Sequence, residues 1–233
     1  MFDRALVMAE EAEPRQRGWV MCDFGGLCSD LGQVDKSIWL VEQALSIAEE
    51  LGDKELQGNA QWNLAKFYTA MGQYWKAVTL CQKARHSYEA LADLGMLMRL
   101  CGEIGECLAY LGEYEEGIKS HKECWARSKQ LGDTSYPAHS ALNIGVTLWK
   151  QVLAGRLAES DSADGVVQMQ KKSDEVHQWL ATALDQNVVN RLYVTMDTNL
   201  NLSYVVFFMS QEAEALKHLQ VYLECCAQHT RDM

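Results

Sequence analysis

The chain has 233 residues, of which 48% are hydrophobic, and a formal net charge of −11. Such an acidic chain is a poor candidate for binding a phosphate backbone, which needs clustered lysine and arginine. Its longest apolar run, Val205 to Met209, is far shorter than the roughly 20 residues that a transmembrane helix needs. We therefore expect a cytoplasmic protein with protein partners, no nucleic acid and no membrane span.

The first segment, residues 1–14, has the pattern of an acidic helix. It lacks the basic-then-apolar arrangement of a secretory signal peptide. Its Ala5-Leu6 pair matches Ala44-Leu45, which lies in the middle of a later predicted helix. Residues 1–14 are therefore predicted to be the second helix of a partial repeat, so that the chain begins inside that repeat.

The sequence then repeats with a period of forty residues. In each repeat a small residue follows an apolar one, and we call these small residues the anchors: Gly25, Ala65, Gly105 and Gly145. Seven residues after each of the first three anchors comes a glycine, and twenty-seven residues after them comes the middle residue of a Leu-Gly-Asp or Leu-Ala-Asp linker. A fixed period on this scale is typical of a solenoid built from repeated helix pairs.

Each repeat is predicted to contain two antiparallel helices, A and B, with short connections. The predicted A and B helices are approximately 17–31 and 34–51, 54–71 and 74–92, 96–111 and 114–131, and 135–153 and 172–184. A fifth pair begins near Val188, and its helix B runs from Glu212 to about Gln228. Gly32 and Gly52 are predicted to end their helices in the left-handed conformation, and Asp53 to cap the next helix.

The period breaks after the fourth helix A. Residues 154–170 contain serine, aspartate and glycine and predict a loop inserted within the fourth pair. Ala183-Leu184 then matches Ala44-Leu45 again, which implies an insertion of about 19 residues. With this loop included, residues 1–233 are predicted to form a single domain.

Residues that could carry chemistry are scattered. None of the eight cysteines belongs to a Cys-x-x-Cys pair, which favours reduced packing thiols over a zinc site or a disulfide framework. The six histidines include no His-Glu-x-x-His pair, and the chain has no Gly-x-Ser-x-Gly motif. The sequence therefore predicts no enzyme, no catalytic residue, no metal site and no cofactor.

The repeat resembles the tetratricopeptide repeat (TPR) family. The second repeat carries the family pattern at these positions: Leu64-Ala65, Tyr68, Gly72-Gln73-Tyr74, Ala77 and Ala84. The forty-residue unit is longer than the typical unit of about 34 residues and is similar to the variant in spindle-orientation adaptor scaffolds. Cys28 and Ser37 depart from the pattern in the first repeat. The resemblance implies an all-α, right-handed α-solenoid of about five helix pairs plus a partial N-terminal repeat.

In such a family the A helices line a concave groove that binds a partner peptide or helix. Asn63 and Asn143 lie two residues before an anchor, and Asn201 lies two residues before Ser203, which holds the same place in the fifth repeat. An amide both donates and accepts hydrogen bonds, as a peptide main chain requires. Hydrogen bonding within the helix hairpin is the alternative role for these asparagines. The other predicted groove residues are Trp62, Lys66, Arg99, Glu103, Tyr110, Trp149 and Tyr204. For the aromatic residues the alternative is core packing, and for Lys66 and Arg99 it is ordinary solvated charge.

Two functional interpretations follow. The first is a scaffold or adaptor that captures a partner segment on its concave face. The second is an architectural subunit of a larger assembly, of cytoskeletal or ciliary type, which acts through its ends and its convex face. This second interpretation rests on the apolar last helix, because terminal repeats normally need a polar outer face, and it predicts self-association or neighbouring repeats. A regulatory sensor domain is a third class, which no specific feature of the sequence favours.

Overall fold

The computed structural model describes residues 13–158, 163–186, 198, 201, 214 and 217–225. These residues are helical apart from the short turns, and no strand occurs among them. The helices with defined bounds are α1 (Pro14–Asp30), α2 (Val34–Leu51), α3 (Lys54–Ala70), α4 (Tyr74–Ala90), α5 (Leu94–Leu111), α6 (Tyr114–Gln130), α7 (Tyr136–Ala158) and α8 (Ala163–Asp185). The predictions for residues 1–12 and for most of the fifth pair, including Tyr204, lie outside the described residues.

The turns between these helices use the predicted residues. Gly52 adopts φ 64°, a left-handed conformation that glycine reaches without a Cβ clash. Asp53 then accepts hydrogen bonds at its Oδ1 from the backbone N–H groups of Glu55 and Leu56, both at 3.0 Å. These bonds satisfy two of the free donors at the start of α3, and the predicted cap is confirmed.

The chain divides into two compact units, Met1–Cys107 and Leu108–Met233. The boundary falls inside α5, close to the middle of the chain. We call these unit 1 and unit 2 and describe each by itself, so the single domain over residues 1–233 stays a prediction.

In unit 1, α2 and α3 contribute most of a core of aliphatic residues, alanine, one cysteine and one phenylalanine. At the anchor Gly25, an added Cβ would collide with the side chain of Val41 and lie 3.2 Å from the carbonyl oxygen of Ser37. The Ser37 hydroxyl donates to the Gly25 carbonyl at 2.8 Å. Ser37 is therefore a departure from the family pattern that adds a buried hydrogen bond where the two helices meet.

In unit 2, α7 packs against both α6 and α8. Its anchor, Gly145, faces Leu180 of α8, whose Cδ2 lies 2.7 Å from where a Cβ would be. The rings of Trp125 and Trp179 meet edge to face at 5.5 Å, and the Trp125 indole N–H donates to Gln186 at 3.1 Å. The anchor thus marks a close approach between helices in unit 2 as well.

The loop predicted over residues 154–170 is wrong for most of its length. Residues 154–158 belong to α7, and residues 163–170 belong to α8. A glycine inside a helix costs only about 1 kcal/mol relative to alanine, so Gly155 and Gly165 do not end these helices. Serine and aspartate also favour helix starts, so their presence here did not distinguish a loop from the beginning of α8.

Candidate protein-binding face

The predicted groove residues of unit 1 come from α3 and α5, two neighbouring A helices. Asn59, Asn63 and Lys66 share one face of α3, because residues four and seven apart lie on the same side of a helix. Arg99, Glu103 and Glu106 occupy the corresponding positions forty residues later in α5. We call the four predicted residues of this set, Asn63, Lys66, Arg99 and Glu103, the polar row of unit 1.

Asn63 is half-buried and already takes part in contacts within unit 1. Its Nδ2 donates to the Oδ1 of Asn59 at 2.9 Å, and its side chain also hydrogen-bonds to the thiol of Cys22. The alternative role within the helix hairpin therefore holds for the amide nitrogen. A side-chain amide can make up to four hydrogen bonds, so Asn63 keeps hydrogen-bonding capacity for a partner beside these two contacts.

The two basic members of the polar row are exposed. The Lys66 ammonium lies 4.9 Å from the centre of the Trp62 ring, a geometry that favours a cation–π contact. Trp62 itself is half-buried, and its buried indole N–H has no hydrogen-bond partner among the described residues. The Arg99 guanidinium pairs with no carboxylate in the described part of the chain. Both cations are therefore accessible to an acidic group of a partner.

Glu103 is the acidic member of the polar row and is half-buried. Burial raises its pKa and the neighbouring Glu106 raises it further, whereas a hydrogen bond from Thr69 and the positive charge of Lys66 lower it. Thr69 also lies 3.2 Å from the Cys107 sulfur. Thr69 thus links α3 to α5 beneath the row, a role that the sequence did not indicate.

The predicted groove residues of unit 2 divide into exposed and buried ones. Tyr110 is 52% exposed, with the Lys150 ammonium 4.2 Å from its ring centre. Asn143 is half-buried and shows no hydrogen bond to a described residue, while Asn201 is half-buried too. Trp149 is only 8% exposed and lies in the unit 2 core beside Val152. Trp149 therefore contributes to core packing in unit 2, the alternative role that the sequence left open for it.

The cysteines among the described residues are packing residues too. Cys22, Cys28, Cys81, Cys101, Cys107 and Cys124 are buried and form no disulfide. Burial, assisted by the charge of Asp23, raises the pKa of Cys22 to about 12. In the described part of the chain no three His, Cys, Asp or Glu side chains are arranged to hold a metal ion, and no helix there is long and apolar enough to cross a membrane.

Comparison with known protein families gives a match for part of the chain. The model of the tetratricopeptide repeat family matches residues 16–90. No curated protein sequence matches the chain significantly.

Solved structures extend the similarity over nearly the whole chain. BtubC (BKLC) from P. vanneervenii is 17% identical with a TM-score of 0.77, over 98% of this chain and 89% of that one. A putative kinesin light chain with TPR-like repeats from Podosopora anserina is 15% identical with a TM-score of 0.69, over 94% and 99%. MamA is 12% identical with a TM-score of 0.60, over 92% and 94%. Residues 16–90 are thus similar to tetratricopeptide repeats, and the chain has the fold of an all-α TPR-like solenoid.

Proposed function

We propose that the protein is an adaptor that binds an extended segment of a protein partner across the polar row of unit 1. TPR-like folds serve in general as protein–protein interaction scaffolds, and they rarely carry catalysis. The observation that carries the finer proposal is the arrangement of α3 and α5. Their corresponding positions present a half-buried amide, two exposed cations and a half-buried carboxylate on neighbouring helices.

These groups complement a peptide main chain and its charges. The Asn63 carbonyl oxygen accepts from a main-chain N–H, while Glu103 accepts from a second donor when ionised. Lys66 and Arg99 pair with carboxylates of the partner or with its C-terminus. The half-buried Trp62 offers an aromatic surface beside them, and aromatic anchors next to backbone contacts are typical of peptide-binding sites.

The first test is affinity capture from a cell extract followed by mass spectrometry. The variant replaces the recurring asparagines together: Asn63→Ala, Asn143→Ala and Asn201→Ala. Each lost hydrogen bond in a desolvated contact costs about 1–3 kcal/mol, so the variant should lose its specific partner. Circular dichroism checks that the variant is folded.

The matched control replaces three exposed glutamines that lie on B helices instead: Gln43→Ala, Gln82→Ala and Gln130→Ala. This control removes the same kind of side chain and should retain the partner. If both variants retain the same partners as the wild type, the asparagines serve only their own hairpins and the proposed site is wrong. A charge-reversal pair, Lys66→Glu with Arg99→Glu, then tests the cations of the row separately.

A second candidate function is self-association, and an exposed apolar pair favours it. Leu219 and Leu223 are one helical turn apart, 36% and 58% exposed. If a second copy covered these leucines, each Å² of apolar surface removed from water would stabilise the dimer by about 25 cal/mol. Light scattering of the wild type and of Leu219→Glu and Leu223→Glu tests this, because a monomer in all three samples would exclude the second candidate.

A further inference from the structure

A second surface of unit 1 lies away from the polar row. A cleft of about 300 Å³ opens between the C-terminal part of α3 and one face of α4. We call it the Trp75 cleft, and its lining residues are Tyr68, Trp75, Lys76, Thr79, Leu80 and Lys83. None of them is a predicted groove residue. The α4 members recur every three to four residues and therefore share one face of that helix.

The floor and rim of the Trp75 cleft are apolar and aromatic. Trp75 is 59% exposed, although tryptophan is normally well covered in a folded protein. Leu80 packs against the core of unit 1 from below, as does the half-buried Tyr68. A partner side chain that entered the cleft would therefore cover apolar surface that water now contacts, and tryptophan is the residue type that most often dominates such contacts.

The charge of the cleft is opposite to that of the chain. Helix α4 carries Lys76, Lys83 and Arg85 but only one acidic residue, Glu89. Arg85 already pairs with that glutamate, its Nε 2.9 Å from Oε1. No carboxylate of α4 is thus left for the two lysines of the cleft. The rest of the chain brings the formal charge to −11, so the cleft is a local positive patch on an acidic protein.

The positions of the two lysines suit carboxylates on either side of an apolar residue. The Lys76 ammonium lies 5.1 Å from the centre of the Tyr68 ring, so it stays near the cleft wall. Lys83 lies about two helical turns beyond Trp75 along the same face and pairs with no carboxylate of the described residues. The Thr79 hydroxyl between them donates to the Trp75 carbonyl oxygen at 2.9 Å, so its donor is already used within α4.

We propose that the Trp75 cleft is a second docking site, which takes an acidic peptide segment of a protein partner with one apolar side chain seated beside Trp75. Carboxylates on both sides of that side chain pair with Lys76 and Lys83. Nucleic acid fits this surface less well, because a phosphate backbone needs more than two cations and the chain as a whole repels it. The site is independent of the polar row and does not rest on it.

The test measures fluorescence polarisation of labelled peptides against the purified full chain. The probe Gly-Glu-Asp-Phe-Asp-Glu-Gly carries both required features. Gly-Gln-Asn-Phe-Asn-Gln-Gly lacks the charge, and Gly-Glu-Asp-Gly-Asp-Glu-Gly lacks the apolar side chain. The probe should bind at least about tenfold more tightly than either control peptide, since both the ion pairs and the apolar contact then contribute. Its affinity should also fall as salt is added.

Variants locate the binding. Trp75→Ala and the pair Lys76→Glu with Lys83→Glu should each weaken the probe by about tenfold or more. The matched controls are Trp39→Ala, which removes another exposed tryptophan (53%), and Lys171→Glu with Lys172→Glu, which reverses two exposed lysines of unit 2. Both controls should bind the probe as the wild type does.

Three outcomes would overturn the proposal. The first is equal binding of the charged and uncharged peptides. The second is a probe that binds the cleft variants and the wild type alike but is lost from Lys66→Glu with Arg99→Glu, which would assign the acidic peptide to the polar row. The third is a dimer in sedimentation that the cleft variants dissociate, which would make a second copy of this chain the occupant. Failure of the asparagine variant described above would leave this proposal untouched.

Discussion

Unit 1 and unit 2 place different chemistry at the same repeat position. Val41 and Cys81 of unit 1 and His121 of unit 2 are forty residues apart, and each is at most 2% exposed. The first two are apolar, whereas His121 buries an imidazole whose Nδ1 has no hydrogen-bond partner among the described residues. The repeat therefore specifies burial at this position, but it leaves the polarity of the buried group open.

The anchors of the two units also differ in which atoms crowd the glycine. In unit 1 the position of a Cβ on Gly25 is limited partly by backbone, the carbonyl oxygen of Ser37 at 3.2 Å. In unit 2 the position of a Cβ on Gly145 is limited mainly by the side chain of Leu180, at 2.7 and 2.8 Å. A side chain that a substitution can shorten crowds both glycines, but only Gly25 also has a backbone oxygen closer than ordinary van der Waals contact.

The largest expected effect comes from filling these two anchors. Gly145→Ala and Gly25→Ala should each lower the free energy of unfolding by about 1–3 kcal/mol, because overpacking forces neighbours to move. In a Leu180→Ala background, Gly145→Ala should cost nothing or even stabilise, since alanine is favoured over glycine within a helix. In a Val41→Ala background, Gly25→Ala should still destabilise, because the Ser37 carbonyl oxygen remains.

Urea denaturation followed by circular dichroism gives the two double-mutant cycles. If both cycles gave the same coupling energy, the neighbouring side chain would account for the crowding equally at Gly25 and at Gly145. That result would contradict the proposed difference between the two units. The background substitutions are themselves destabilising, by about 2–5 kcal/mol for a buried leucine, so only differences within each cycle are compared.

The next effect depends on pH and arises in unit 2. Burial lowers the pKa of His121 from 6.5 to about 3, with smaller contributions from His139 and Lys150. Below pH 6.5 the unfolded chain therefore binds a proton at His121, whereas the folded chain does not bind one there until the pH is near 3. Stability from this group is complete above pH 6.5 and falls as the pH falls toward 3, by about 2 kcal/mol at pH 5. His121→Gln should show a shallower loss of stability between pH 7 and pH 5.

Glu103 of unit 1 is an internal control, because its contribution to stability changes with pH in the opposite direction. Because burial raises its folded pKa, the folded chain binds the proton more readily, and stability from this group rises as the pH falls through that pKa. Glu103→Gln should therefore make the loss of stability toward low pH steeper, whereas His121→Gln makes it shallower, and the change should be smaller because Glu103 is only half-buried. Denaturant midpoints over this pH range measure both, and parallel profiles for the wild type and His121→Gln would contradict the first expectation.

The periodicity predicted the fold well wherever a position has a purely steric requirement. The bounds of α2 follow from the glycines at its two ends, since few other residues adopt the left-handed conformation there. Trp149 could not be placed in the same way, because an aromatic residue on a helix gives the same sequence signal whether it faces a core or a groove. The loop over residues 154–170 failed because composition shifts propensity by only about 1 kcal/mol per residue, which packing overrides.

The Trp75 cleft left a signal in the sequence that was not used. Trp75 occupies the repeat position held by Asp35 and by Glu115 in the adjacent repeats, and charged residues there indicate a position that faces solvent. A tryptophan at such a position is therefore expected to be exposed. What the sequence could not supply is the grouping of Tyr68 with the α4 face, since that depends on how the two helices pack.

The smallest expected effect lies in the linkers that end the B helices, where the two units again differ. Ala92 of unit 1 has φ 52°, and it is the single residue other than glycine with positive φ among the described residues. Gly132 of unit 2 holds the equivalent position with φ 66°. An alanine in this conformation is strained by about 1 kcal/mol because its Cβ approaches the carbonyl oxygen, so Ala92→Gly should raise the free energy of unfolding by about that amount.

Gly132→Ala is the matched reversal in unit 2, and it should lower the free energy of unfolding by a similar amount, because no neighbouring atom lies within 4 Å of the Cβ it would add. The strain of the backbone is then the main difference between the two residues. Urea denaturation of both variants measures the pair. If Ala92→Gly destabilises the chain, the greater freedom of glycine in the unfolded state outweighs the relieved strain, and alanine would then suit this linker better than glycine does.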